Sequence, residues 1–184
     1  MQLPKGKLLA LVIAFVAIGL VTATGAFTTV AAERTATVDV AGDQSANLGI
    51  SPHSTSPNGD YAEITNDGTF QLDLSNVNLE AETTFDLVFN LTNNGQEDVG
   101  VFITKSGDNA DLVEFYNGTD YDDSAQRIDN SSSNAQFLGT GETITVSIRV
   151  DTTDTSLSAG DELLSSITIT ADAGEADTAN GNPN

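Results

Sequence analysis

Residues 83–95 read Thr83-Thr84-Phe85-Asp86-Leu87-Val88-Phe89-Asn90-Leu91-Thr92-Asn93-Asn94-Gly95. Phe85, Leu87, Phe89 and Leu91 recur at every second position, with Asp86, Val88 and Asn90 between them. That period of two places one set of side chains on one face of a strand and the other set on the opposite face. The run then ends in Asn-Asn-Gly, residues that supply the left-handed backbone of a tight turn. The stretch therefore reads as a long, half-buried β-strand closed by a turn.

The same pattern repeats on both sides of it. Ala36, Val38 and Val40 alternate with Thr35, Thr37 and Asp39, and Phe70, Leu72 and Leu74 alternate with Gln71 and Asp73. Ile144, Val146, Ile148 and Val150 alternate with Thr145, Ser147 and Arg149, and Ile167, Ile169 and Ala171 with Thr168 and Thr170. Residues 99–103 form a shorter, more apolar run, and 61–64, 112–116 and 136–138 are weaker candidates. Turn clusters such as Pro57-Asn58-Gly59-Asp60, Asn117-Gly118-Thr119-Asp120 and Gly139-Thr140-Gly141 separate these runs. No 3.6-residue apolar period is sustained after Arg34. Eight to nine antiparallel strands in a single β-sandwich follow, with Phe70, Phe85, Phe89, Phe102, Phe115 and Phe137 as its large core pieces.

The chain divides accordingly. Residues 1–26 read as a signal segment: Lys5 and Lys7, then the apolar run Leu8 to Ala23, then small residues through Ala26. Sixteen residues is short for a membrane span, which needs about 20. Cleavage after Ala23 or Ala26, retention as an anchor, and a pilin-type leader cut after Gly6 are the three readings, and the first fits the small-x-small rule. Residues 27–43 form an N-terminal strand segment, 44–171 the sandwich, and 172–184 an acidic tail without an apolar anchor, expected to be disordered.

Composition excludes more than it assigns. The 184 residues carry 6 Lys+Arg against 27 Asp+Glu, a net of −21. After Ala32 four bases face all 27 acids, a net of −23. Such a surface cannot neutralise phosphates, so nucleic acid is excluded as a partner, and a membrane is reached only through the N-terminal segment if it is uncleaved. The acids are dispersed over turns and polar strand faces. That pattern suits a protein secreted into molar salt, where the Debye length falls to about 3 Å. With no Cys, no Trp and only His53, thiolate, zinc–thiolate, iron–sulfur and His-based chemistry fall away. No catalytic residue and no cofactor is expected. His53 reads as an exposed loop residue.

Asp120, Asp122 and Asp123, with Asn117 and Asp129 near, are weak candidate calcium ligands, as are Asp108, Asn109 and Asp111; neither group has the spacing of an EF-hand loop. Lys105 reads as a surface lysine at a strand end, the alternative being an isopeptide link to an Asn. Asn90, Asn117 and Asn130 begin glycosylation sequons. Asn117 and Asn130 fall in expected loops, Asn90 on the polar face of a strand.

Gly25-Ala26-Phe27 after the apolar run, Arg34-Thr35-Ala36-Thr37-Val38-Asp39-Val40-Ala41-Gly42-Asp43, and residues 83–95 followed by Val99-Gly100-Val101 resemble a family of secreted haloarchaeal β-sandwich proteins of unknown function. That family is in turn remotely similar to the TasA/camelysin biofilm-matrix fibre proteins and to archaeal bundling pilins. The shared features are the signal segment running into an aromatic residue, Leu72-Asp73-Leu74-Ser75, and the strand ending in Asn-Asn-Gly. In place of the fibre proteins' Pro-Gly-Asp this chain has Leu79-Glu80-Ala81-Glu82.

The resemblance implies a jelly-roll-like sandwich whose N-terminal segment adds as a strand to the next subunit. Phe27, Ala36, Val38 and Val40 would be the donor residues, with Phe27 as a plug. The expected function is a non-enzymatic, secreted cell-surface filament or matrix subunit, its partner itself or other cell-surface proteins. The alternative is a monomeric surface-anchored binding or adhesion module associated with glycan or S-layer. Whether residues 27–40 fill their own sheet or a neighbour's separates the two.

Overall fold

The computed structural model describes residues 35–38 and 48–183, except 67, 75, 76, 130, 154–156 and 159. Ten strands lie among them: β1 Thr35–Val38, β2 Leu48–Pro52, β3 Ala62–Ile64, β4 Phe70–Asp73, β5 Glu82–Asn93, β6 Val99–Ser106, β7 Val113–Asn117, β8 Gln136–Leu138, β9 Thr143–Asp151 and β10 Ser166–Asp172. They form two sheets, ordered β3-β4-β1-β10-β6-β8 and β2-β5-β9-β7. The protein is an all-β sandwich, and among the described strands all pairings but one are antiparallel: β1 runs parallel to β10.

Alternation built the core as expected. Val146, Ile148 and Val150 of β9, Val113 and Phe115 of β7, and Phe89 and Leu91 of β5 meet Leu72 of β4, Val101 and Ile103 of β6, and Ile167 and Ile169 of β10, each of them buried. Across the sheets the rings of Phe70 and Phe89 pack edge to face, centroids 5.0 Å apart, the geometry aromatic quadrupoles favour.

Five expectations are corrected. The strands number ten, because β2 carries only Leu48 and Ile50 as apolar residues beside Gly49 and Pro52, too little pattern to register. Within β5 the register shifts between Phe85 and Phe89, where Phe85 pairs with Ile148 and Phe89 with Val146. The irregularity turns Val88 into the core and leaves Leu87 half-buried; Leu87 takes a φ of 56°, and its N–H is rescued by Ser147 Oγ at 2.8 Å. Phe102 and Phe137 are half-buried rather than core, because Val99, Val101 and Ile103 hold the inward face of β6. Asn117 ends β7 rather than lying in a loop.

The fifth correction concerns the tail. Residues 172–183 are ordered against the sandwich. Ala173–Thr178 makes a 3-10 turn capped by Asp172, and Ala176 and Ala179 are buried. Phe137 N–H donates to Asn180 O and Asn180 N–H to Ala135 O, both at 2.8 Å, so the tail pairs with the edge strand β8. Backbone hydrogen bonds and two alanines do what an apolar anchor was thought necessary for. Gly100 makes this possible, since a Cβ there would lie 2.8–2.9 Å from Glu175 atoms.

Candidate functional site

The feature with most functional content is the place of β1. It pairs antiparallel with β4 (Thr35↔Asp73, Ala36↔Leu72, Thr37↔Gln71) and parallel with β10 (Thr37↔Ser166, Val38↔Ile167). Among the described residues no other strand joins β4 to β10. Taking β1 away would part its sheet into β3-β4 and β10-β6-β8, leaving two facing rows of unpaired backbone groups. Such edges demand a partner strand. The walls are apolar on the inner side, with Phe70, Leu72, Ile167 and Ile169 buried. Of the expected donor residues, Ala36 and Val38 occupy register positions opposite buried Leu72 and Ile167, while Phe27 and Val40 lie outside the described residues.

A second cluster was not foreseen. Lys105 on β6 is no surface lysine: its side chain is 2 % exposed, and Nζ lies 2.5 Å from Oδ2 of Asp129, which is 0 % exposed. Nζ also donates to Val113 O. Arg127 Nε grips the other carboxylate oxygen, Oδ1, and its NH2 group reaches Oδ2 at 3.2 Å. Arg127 NH1 lies 2.6 Å from Glu114 Oε1, and Arg149 Nε donates to Glu114 Oε2 at 2.8 Å. Tyr116 adds its hydroxyl to the same Oε2 at 2.9 Å. Burial, with this hydrogen bond second, pushes its phenol up to about 12.

The outer side of this cluster is closed by Tyr121. Its ring packs edge to face on Tyr116, and its hydroxyl donates to Asp86 at 2.6 Å. Burial, followed by that hydrogen bond, raises its phenol as well. Lys105, Arg127 and Arg149 are the three Lys/Arg side chains among the described residues, and their ion pairs go to Glu114 and Asp129 alone. The three cations are joined in one network, Lys105 buried and Arg127 and Arg149 partly exposed.

The remaining candidates are dispersed. Asp120 Oδ1 accepts from Asp122 N–H, and Asp123 Oδ1 caps a 3-10 turn through Ala125 N–H. Asn109 donates to Glu162 O at 2.7 Å, with Asp108 and Asp111 exposed beside it. Among the described residues no three His, Asp or Glu side chains converge on a metal-sized position. Asn90 Oδ1 accepts from Thr145 Oγ1 at 2.9 Å, Asn117 Nδ2 sits 3.4 Å from Gln136 Oε1, and Asn130 lies outside the described residues. His53 is half-buried, not exposed, with its N–H on Val88 O and its Nδ1 accepting from Ser56 N–H.

A depression of about 180 Å³ beside β3 and β4 is lined by Asp60, Tyr61, Glu63, Gln71, Leu72 and Asp73. Three carboxylates among six lining residues make it unlike an apolar small-molecule cleft.

A family model described as "Protein of unknown function (DUF1102)" matches residues 50–176, more than half of the chain. The chain belongs to the DUF1102 family. No curated protein and no solved structure matches it. The DUF1102 span begins inside β2 and ends within the last 3-10 turn. The Lys105–Asp129 cluster and both walls of the β1 slot therefore fall inside the family's domain, whereas β1 itself precedes it.

Proposed function

We propose that this DUF1102 protein is a non-enzymatic, secreted structural subunit of the cell surface, built to polymerise by passing its N-terminal segment, residues 27–40, into the slot of a neighbouring copy. One observation carries the reading: among the described residues, the slot between β4 and β10 is bridged by the four-residue strand β1 alone. Parallel pairing is slightly weaker per residue than antiparallel pairing, and on its parallel side β1 is joined to β10 through two register positions, Thr37↔Ser166 and Val38↔Ile167. Residues 39–47 separate it from β2, inside which the family span begins. The same hydrogen bonds form whether the strand comes from its own chain or another, which makes exchange a low-cost route to association. A strand that leaves at one end of a subunit and enters the next makes a heterologous contact, and such contacts propagate into open filaments. The resemblance to TasA/camelysin fibre proteins and archaeal bundling pilins points the same way.

A second reading, a monomeric surface-anchored binding module, is favoured by one fact: β1 lies in the sheet of its own chain. Cross-linking separates the two. The chain has no Cys, so Thr37→Cys with Ser166→Cys introduces one pair at directly opposed register positions. Oxidised in molar salt, the protein beginning at Phe27 should give a ladder of disulfide-linked multimers on a non-reducing gel, and fibres by electron microscopy. A single monomer band from the doubly substituted chain would remove the filament reading and leave the binding module.

A further inference from the structure

The Lys105–Asp129 pair carries a second inference, independent of how subunits assemble. An ammonium and a carboxylate taken out of water lose hydration that their attraction must replace. Here both are buried and in contact, Nζ to Oδ2 at 2.5 Å. The carboxyl carbon is one bond beyond that oxygen, close to the roughly 3–3.5 Å separation from which reacting atoms begin an attack. We infer that Lys105 and Asp129 condense to an intramolecular isopeptide bond, a covalent staple in a chain that has no cysteine.

The surrounding groups suit each part of that reaction. Nζ passes one proton to Oδ2, giving a neutral amine and a neutral acid. The freed lone pair attacks Cγ. Negative charge then develops on Oδ1, the oxygen held by Arg127 Nε, as preorganised donors stabilise an oxyanion elsewhere. A second proton moves from nitrogen to Oδ2, the Cγ–Oδ2 bond breaks, and one water leaves. Ammonium and carboxylate charges cancel, so neither an outside acid nor an oxidant is needed. The amide nitrogen keeps one hydrogen, and Val113 O already stands as its acceptor. Arg127, losing a carboxylate, retains Glu114 at 2.6 Å. Well-oriented intramolecular pairs reach effective molarities on the order of 10⁵–10⁸ M, enough to drive a condensation that fails between free solutes.

The staple would join β6 of one sheet to the segment that covers β7 of the other. Ile103 bridges Asp129 and Tyr116 bridges Arg127 on that segment.

Intact-mass measurement of the full chain, folded in molar salt, tests it. The expected mass is lighter than the sequence by one water per chain and stays so after unfolding. Digestion should yield one branched peptide joining Lys105 to Asp129. A mass equal to the sequence, with both side chains recovered free, overturns the proposal. Lys105→Arg keeps the cation without the nucleophile and should restore the full mass. Loss of water from that variant too would place the dehydration elsewhere and also overturn it. If the variant does not fold, peptide mapping of the unsubstituted chain decides alone.

Discussion

Glu114 faces outward from β7, yet one carboxylate holds two guanidinium groups and a phenol. Hydrogen bonds to charged partners contribute about 1.5–3 kcal/mol each. Because Glu114 is partly exposed, Glu114→Gln is expected to lower stability by about 1–3 kcal/mol in total, read as a shift in urea midpoint at unchanged slope. The tyrosines around it set an alkaline limit. The Tyr116 phenol is held neutral in the folded chain up to about 12, against an ordinary value of 10.0. Its folded value lies above its unfolded one, so its stabilising contribution is complete below pH 10 and is lost as pH rises from there towards 12. Tyr121 acts in the same direction. Stability measured across that window should fall, with phenolate absorbance of these two rings appearing together with unfolding rather than before it. None of this network was legible in the sequence. Lys105 sits in a polar-looking Thr-Lys-Ser-Gly stretch, and Asp129 is one acid among 27. Their meeting depends on segment 127–129 crossing from one sheet to the other, which no local pattern encodes.

At the level of single elements, strands announced themselves where apolar residues alternate and stayed hidden where the ladder alone defines them. β4, β5, β9 and β10 were plain from period two, β2 was not, and the tail was misread because its anchorage is backbone pairing and alanines. The irregularity in β5 left one trace in sequence, the apolar Val88 on the otherwise polar face of residues 85–91, and at the break Ser147 Oγ takes the N–H of Leu87. A left-handed backbone costs a non-glycine residue roughly 1–2 kcal/mol. Leu87→Gly should therefore change stability by less than about 1 kcal/mol, relief of backbone strain offsetting the lost side chain. Thermal unfolding of that variant gives the answer. At the tail, Gly100→Ala pushes a methyl group into Glu175 and should cost about 1–3 kcal/mol. Hydrogen exchange should then show the amides of Phe137 and Asn180 losing protection while β9 keeps its own.

For the whole molecule the decisive quantity is charge. The sequence carries −21, and the described cations are all paired with Glu114 and Asp129, so the other acids repel one another with little to counter it. Salt shortens the reach of that repulsion from about 10 Å at 0.1 M to about 3 Å at 1 M. Melting temperature should climb over that range and level off above it. A chain insensitive to salt would show that the acids are too far apart to matter. The overall charge and its sign could be counted from the sequence, but the gathering of the described cations into one ion-pair network could not. It also changes how the protein meets a hostile environment. Proteases that cut after lysine or arginine need that side chain, and an extended stretch around it, presented to their cleft. In the folded domain Lys105 lies within β6 and Arg149 within β9, both locked into ladders, and Arg127 is clamped by two carboxylates. Trypsin should find nothing to bite among the described residues until the sandwich opens as a whole, so the rate of its digestion would serve as a clock for global unfolding.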